Sequence, residues 1–499
     1  MRLSPHLIRH IHFIGIGGIG MSGIAEVLHN LGYYVSGSDV SEGANVQRLR
    51  ALGMKIMIGH RAENVQGAQV VVVSTAVAKD NPEVIAAHAQ GIAVVQRAEM
   101  LGELMRLKFA VAIAGTHGKT TTTSLMAALF DEADLNATVI NGGIINAYNT
   151  NARVGSGEWV VAEADESDGS FTKLFPTFGI VTNIDADHMD FYASFEEIKL
   201  AFLRFLERIP FYGAAIMCSD HEEVLSLVTR ITDKRVITYG LKAGAQIRGV
   251  NLRSTPHGTE FDVDITPPSI QPSLTTLSLM PRRIAKLFLP MMGEHNVQNA
   301  LAVVAVAQEL GVSDQALAKA LRDFKGVKRR FTCVGEVQGV TIIDDYAHHP
   351  VEIETTLKAS RQASTGKVIA ILQPHRYTRV KALFDDFVQS VRGADAVILA
   401  PIYAAGEKPL EGISSDTLFA AMKKAGVNAF QIEDPKELPP LLSTMAQGGD
   451  LVVCMGAGSI TYWAAALPTQ LEGVLFAPPP LPANSLTPKQ HATAAGSVP

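Results

Sequence analysis

The residues best suited to chemistry lie mid-chain, at Gly115-Thr116-His117-Gly118-Lys119-Thr120-Thr121. Glycines let backbone N–H groups turn inward around an anion, and a helix starting there adds partial positive charge. Lys119 is placed to reach the outer phosphates of a nucleoside triphosphate, and the Thr120 hydroxyl is a hard ligand for Mg²⁺. The elements that position such a loop flank it. The apolar run Ala110 to Ala114 predicts a buried strand, and Ser124 to Phe130 predicts a helix. Ile113 stands where the longer phosphate-loop pattern has its first glycine, so this is a shorter form of that pattern. The plain alternative is a strand, turn and helix with a surface lysine. Gly-Lys-Thr at the strand-to-helix junction favours the phosphate reading.

A second glycine loop, Gly15-x-Gly17-Gly18-x-Gly20, follows the short apolar run Ile11 to Ile14 and precedes a helix from about Met21 to Leu31. A further strand at Tyr33 to Val35 leads to Asp39, about where a ribose-binding acid is expected. The loop predicts a nucleotide diphosphate at the helix N-terminus, and taken alone would suggest NAD. A glycine turn used only for packing is the alternative. The strand Val70 to Val73 ends at Ser74-Thr75-Ala76, Asn81-Pro82 opens a helix, Val94-Val95 is a short strand, and Arg97 to Leu107 reads as a helix.

Acids follow the phosphate loop. The strand EWVVAE ends in Glu163, and Asp165, Glu166 and Asp168 come next. Carboxylates just beyond a buried strand are natural metal ligands, or else an acidic surface turn. Another strand, Phe178 to Ile184, ends at Asp185-Ala186-Asp187-His188-Met189-Asp190, where His188 is either a ligand or a structural histidine. Asn141-Gly142-Gly143 reads as a turn. Residues 246–290, broken by Pro267-Pro268 and Pro272, read as a small antiparallel insertion or sheet edge. A long helix begins near Gly293-Glu294-His295-Asn296, whose polar side chains would either meet a purine edge or, for Asn296, cap the helix. Lys328-Arg329-Arg330 is a phosphate or carboxylate clamp, or a solvated basic turn.

A third α/β unit follows. Its strands end in Asp344-Asp345-Tyr346-Ala347-His348-His349, in Gln373-Pro374-His375-Arg376-Tyr377-Thr378-Arg379, in Pro401 to Glu407, and in Gly456 to Ser459. Polar clusters at successive strand C-termini mark a ligand crevice in an open parallel sheet. The proline-rich end from Ala477 predicts a disordered tail.

Composition sets bounds. A chain of 499 residues exceeds one ordinary core, and 47% apolar with 18% charged residues suits a packed soluble enzyme. A net charge of −6 argues against general nucleic-acid binding. Cys218, Cys333 and Cys454 are scattered, so reduced thiols are expected. The first ten residues lack a signal-peptide core, and no apolar run is of spanning length, which predicts a cytoplasmic protein without membrane insertion.

Together GTHGKTTT, AEADES, TNIDADHMD, GEHNVQNALA, KRRF, DDYAHHP, QPHRYTR and YAAGE resemble the Mur ligases of bacterial cell-wall synthesis. The likeness runs from about residue 10 to 470, and HFIGIGGIGMSGIAEVL narrows it to the member that adds the first amino acid of the peptide stem. The resemblance implies an α/β chain of three domains. These are an N-terminal Rossmann-like domain for the UDP substrate (1–107), a central P-loop ATPase-like domain with a mainly parallel sheet and a small antiparallel insertion (108–325), and a C-terminal Rossmann-like closing domain (326–476), with 477–499 as tail. It implies UDP-N-acetylmuramate and L-alanine as substrates, ATP and Mg²⁺ as cofactors, and a monomer or weak homodimer.

By the same resemblance Gly15, Gly17, Gly18, Gly20, Asp39 and Ser74 hold UDP rather than NAD. Gly115 to Thr121 hold the ATP phosphates, Thr120, Glu163 and His188 surround magnesium, and His295 and Asn296 meet adenine. Arg330, Asp345, His348, His375, Arg376 and Arg379 line the closing face, with Lys119 and Arg330 shielding charge and His348 or Asp345 taking the amine proton. Several relatives carry a carboxylated lysine on the helix after DHMD. Lys199, the one lysine of that helix here, lies about a turn early, and the role is not assigned to it. Three readings compete: an NAD-dependent oxidoreductase, which leaves GTHGKT idle; a recycling ligase that joins UDP-N-acetylmuramate to a ready-made tripeptide; and a nucleotide-binding regulator without catalysis. A folylpolyglutamate-synthase-like ligase would lack the N-terminal glycine domain.

Overall fold

A computed structural model describes residues 8–472 apart from 75, 107, 149, 190, 256 and 268–279. The expected tail from Ala477, together with Thr75, Leu107, Asp190, Pro268 and Pro272, lies outside the described residues. The architecture is three-domain α/β, with one sheet per domain. The chain divides into two compact units between Thr332 and Cys333, and the first unit holds the first two sheets.

The first sheet has five parallel strands in the order Lys55–Ile58, Tyr34–Asp39, His10–Ile14, Val70–Val73, Ala93–Gln96. His10–Ile14 sits centrally, with Ile11, Phe13 and Ile14 buried, as its apolar sequence demands. The chain reverses direction of travel across the sheet between His10–Ile14 and Val70–Val73. Ile11 pairs with Val70 and Phe13 with Val72, so the loop from Gly15 and Ser74 emerge side by side at this switch point. Ligands bind at such points.

The central sheet has ten strands. Phe109–Ala114 lies between Trp159–Glu163 and Phe178–Val181, all parallel. The register Ile113↔Glu163 and Ala114↔Val181 brings the phosphate loop, Glu163 and Thr182 out at one edge. At the far side the strands Ile247–Thr255, Gly258–Ile265 and Arg282–Leu289 pair antiparallel, so these described strands of the 246–290 segment form an edge of this sheet. Asn141-Gly142-Gly143 is not a turn. It lies within the strand Thr138–Ile145, which is parallel to Trp159–Glu163 and irregular in register against Thr150–Arg153 between Ile140 and Ile145. Two helices, Lys119–Glu132 and Glu294–Leu310, bury alanine, valine and leucine side chains in the central core.

In the second unit the strands run Thr332–Val337, Val340–Asp345, Leu451–Met455, Val368–Leu372, Ala396–Leu399, Ala429–Gln431. The last five are parallel, and VIAIL and LVVCM are buried throughout. Short segments such as KIMI, TNAR and AFQ carry too few residues to show a period, and the sequence alone does not mark them as strands. Among the described residues no helix is long and apolar enough to cross a membrane.

Candidate active site

The strand Phe109–Ala114 delivers its chain to Gly115, at φ +136°, and the helix begins after Gly118, at φ +84°. Both are left-handed values that favour glycine. Space also excludes side chains: a Cβ on Gly115 would lie 1.9 Å from Thr182 Oγ1, and one on Gly118 2.6 Å from Asn299 Oδ1. The TNID segment clamps the loop. Thr182 Oγ1 donates to the His117 carbonyl (2.6 Å), Asn183 Oδ1 accepts from His117 N–H (2.7 Å), and Asp185 N–H donates to Thr116 Oγ1 (2.9 Å). His117 Nε2 stands 3.2 Å from Asp185 Oδ2.

Lys119 Nζ donates to the carbonyls of Gly115 (2.6 Å) and Thr116 (3.1 Å) and pairs with Glu166 Oε2 (2.8 Å). Burial opposes the ammonium charge, but the carboxylates of Glu166, Asp165 and Glu163 outweigh it and hold the Lys119 pKa above its usual value. Glu166 is therefore no surface acid; it is 2% exposed and stands beneath the loop. His188, at φ +57°, places Nε2 3.7 Å from Glu166 Oε1 and 3.7 Å from Asp187 Oδ2.

Gly142 and Gly143 lie close against two of the expected metal ligands, Gly142 against Glu163 and Gly143 against Thr120. A Cβ on Gly142 would lie 2.5 Å from Glu163 Oε1, and one on Gly143 2.8 Å from Thr120 Cγ2. Gly142 N–H also donates to Glu163 Oε2 (2.9 Å). A hydroxyl and a carboxylate are the hard oxygen donors that Mg²⁺ takes. Among the described residues no three His, Cys, Asp or Glu side chains gather to hold a metal. Donors of this kind suit an ion that keeps phosphate and water among its ligands, as Mg²⁺ commonly does.

The N-terminal glycine loop is organised by Asp39, whose Oδ2 accepts from Gly17 N–H (2.8 Å), while Gly15 and Ile16 N–H donate to the Ser38 carbonyl (2.8 and 3.0 Å). A cavity of about 300 Å³ joins Gly15, Gly18, Gly20 and Ser74 to Asn141, Gly142, Glu163 and Asp165. The N-terminal glycine loop thus shares one cavity with Asn141 and Gly142 of the strand Thr138–Ile145 and with Glu163, all far from it in sequence. Arg97 lies against Gly20 and 3.7 Å from Asp165 Oδ2. Sequence reasoning took it only as a helix start, and it is the cavity's cation.

The helix Glu294–Leu310 is preceded by Gly293, at φ +90°, with no side-chain cap. Asn296 does not cap it, because it lies inside the first turn and donates from Nδ2 to the Met292 carbonyl (2.7 Å). Burial, then the charge of Arg330, lowers the His295 pKa to about 4, so its ring is neutral at pH 7.

In the second unit the strand ends converge as the sequence suggests. His348 and His375 stand edge to face at 5.7 Å, and His375 stacks on Tyr403 at 5.5 Å. His348 Nδ1 faces the Tyr346 carbonyl oxygen (3.0 Å) and Glu352 Oε2 (3.3 Å). Both are acceptors, so the neutral ring carries its proton on Nδ1 and its lone pair on Nε2. Arg379 Nη1 donates to His375 Nδ1 (3.4 Å), and Arg376 Nε donates to Glu407 Oε1 (2.6 Å). Burial comes first, and the charges of Arg379 and Arg376, with that of His348 when it is protonated, add to it and lower the His375 pKa to about 4. Asp345 Oδ1 accepts from Ala347 N–H (2.8 Å) and Thr356 Oγ1 (3.2 Å), and so shapes the turn that carries His348.

Comparison with known proteins gives three consecutive matches. Residues 10–109 match the Mur ligase family catalytic domain, 113–307 the Mur ligase middle domain, and 329–458 the Mur ligase glutamate ligase domain. The chain is 55% identical over 472 residues to the UDP-N-acetylmuramate–L-alanine ligase of Parvibaculum lavamentivorans, covering 94% of each chain. It is 54% identical over 475 residues to the protein of the same name from Rhodospirillum centenum, covering 95% of this chain and 97% of that one. Among solved structures, the UDP-N-acetylmuramate–alanine ligase of Thermotoga maritima superposes with a TM-score of 0.75 at 28% identity, over 92% of this chain and 98% of that one. A murein peptide ligase from Psychrobacter arcticus shares the fold with a TM-score of 0.64 at 24% identity, over 94% of this chain and 99% of that one.

Proposed function

Because the chain belongs to the Mur ligase family, we propose that it joins L-alanine to the lactyl carboxylate of UDP-N-acetylmuramate, converting ATP to ADP and phosphate in a step of peptidoglycan synthesis. One observation carries the reading: relatives of that name are 54–55% identical over 94–95% of the chain. The murein peptide ligase likeness, at 24% identity, speaks to fold alone.

A carboxylate cannot expel oxide, so it must be activated. Its oxygen attacks the γ-phosphorus of ATP, ADP departs, and an acyl phosphate forms. The alanine amine then adds to the carbonyl carbon, loses a proton, and phosphate leaves as the amide forms. The first step brings two anions together, and Lys119 and Arg330 are assigned to shield them. Gly115 to Thr121 hold the phosphates, and His295 and Asn296 hold the base. Gly15, Gly18, Gly20 and Ser74 take the UDP-sugar, with Gly17 and Asp39 shaping the loop. The shared cavity supports this, since it leads from the glycine loop to Glu163. Thr120, Glu163 and His188 are assigned to Mg²⁺, which when bound would neutralise phosphate charge. His348, through Nε2, is the assigned proton acceptor, with Asp345 the alternative. His375, Arg376 and Arg379 complete the closing face.

We assign residues 1–107 to the UDP-sugar, 108–325 to ATP and 326–476 to the amino acid. The same reading puts the reaction in the cytoplasm and requires no more than a monomer or weak homodimer.

The test is ADP release with UDP-N-acetylmuramate and, in separate assays, L-alanine, glycine, D-glutamate and the stem tripeptide. L-alanine should support the fastest turnover. Faster turnover with tripeptide would favour the recycling reaction, and no ADP release with L-alanine would overturn the proposal.

A further inference from the structure

Behind the phosphate loop lies a connection that the reaction does not use directly. Asp185 reaches His117 of the loop with Oδ2, and its Oδ1 accepts from His221 Nε2 (3.3 Å). Burial would raise the Asp185 pKa, but the two imidazoles outweigh it and hold the carboxyl well below the usual range. His221 is the N-cap residue of the short helix Glu222–Val228, and its neighbour Asp220 faces the other way. Asp220 Oδ2 accepts from Gln298 Nε2 (2.6 Å) and Leu241 N–H (2.6 Å), and Oδ1 from Lys242 N–H (2.9 Å). Gln298 is one turn along the helix that carries His295 and Asn296. The next residue, Asn299, is the one packed on Gly118.

The geometry points to Asp220–His221 as a positioning brace that fixes the phosphate loop against the helix that holds the base, and thereby sets affinity for the nucleotide. This rests on reading residues 115–121 and 295–296 as the ATP site. Neither brace residue contacts the UDP-sugar cavity, so the effect falls on one substrate. A structural role alone would weaken both.

The experiment titrates ADP into the full-length protein by calorimetry and measures kcat and both KM values, for His221→Ala, His221→Gln and Gln298→Ala. His221→Ala should weaken ADP binding and raise KM for ATP by about tenfold, the effect of losing one hydrogen bond to a charged group. The KM for UDP-N-acetylmuramate and kcat should hold. His221→Gln, whose amide N–H reaches the same carboxylate, should recover to within about threefold of the parent. Parent-like ADP affinity in His221→Ala would overturn the brace, as would equal loss for both substrates. If His221→Ala does not fold, Gln298→Ala decides: weaker ADP binding supports the brace and unchanged binding overturns it. A parent that binds ADP but does not ligate L-alanine would sink the ligase reading, while the brace is still decided by the ADP affinities.

Discussion

Lys119 Nζ sits 2.8 Å from Glu166 Oε2 beneath the phosphate loop, with Glu166 buried and Lys119 partly so. The lysine that is to meet the outer phosphates is thus held charged and aimed by an acid 47 residues away. Lys119→Ala should cut ADP release by at least ~1,000-fold, because the charge it sets against the transferring phosphoryl group is lost. It also strands the buried Glu166, and losing one partner of such a pair costs about 3–5 kcal/mol. Melting curves should show a lower Tm. Retained turnover would remove the loop from the mechanism.

Gly142→Ala tests the proposed metal site without replacing a ligand. The added Cβ would come within 2.7 Å of both Glu163 carboxylate oxygens and displace them. The Mg²⁺ concentration for half-maximal rate should rise about tenfold, as supporting residues of metal sites do. The KM for L-alanine should not move.

The amine of alanine must lose a proton, and His348, when neutral, has its lone pair on Nε2. His348→Ala should lower kcat by about 100- to 10,000-fold at pH 7. The deficit should shrink as pH rises, because a growing share of alanine is then already neutral. A deficit constant from pH 7 to 9.5 would argue for a binding role instead.

Glu83 is fully buried beneath the N-terminal sheet and takes five donors: His12, Ser38, His60, Asn64 and the Arg61 N–H. Burial would raise its pKa, but hydrogen bonds from His12, Ser38 and Asn64 bring it from 4.5 down to about 2. A depressed folded pKa stabilises above the unfolded value, so this contribution is complete above about pH 4.5 and fades as pH falls toward 2. Glu83→Gln should melt lower than the parent at pH 7, and the gap should narrow below pH 4.5. A gap that widens on acidification would contradict the assignment.

Much of this was legible because it is local. VVVV, FAVAIA and LVVCM are buried strands on composition alone, and the glycines beside them announce the loops. What escaped were residues whose role depends on a distant partner. Glu166 sits in an acidic triplet that looks solvated, and only the register Ile113↔Glu163 brings the residues after Glu163 beside Lys119. Gly142 and Gly143 resemble a turn by type, yet within a strand their bareness lets Glu163 pack on the one and Thr120 on the other. Arg97 shows no pattern of its own, since its place opposite Gly20 arises only when the strands His10–Ile14 and Ala93–Gln96 join one sheet and bring their following helices together.

Lys199 Nζ is held between Glu196 Oε2 (2.9 Å) and Glu223 Oε2 (3.2 Å), and the hydrogen bonds it donates to these carboxylates raise its pKa. Carbon dioxide adds only to an uncharged amine, so this side chain is a poor candidate for a carbamate. The enzyme should therefore be indifferent to dissolved gas. Its velocity in thoroughly degassed buffer should equal that after bicarbonate is supplied, whereas a ligase built on a carboxylated lysine would revive as the gas returned.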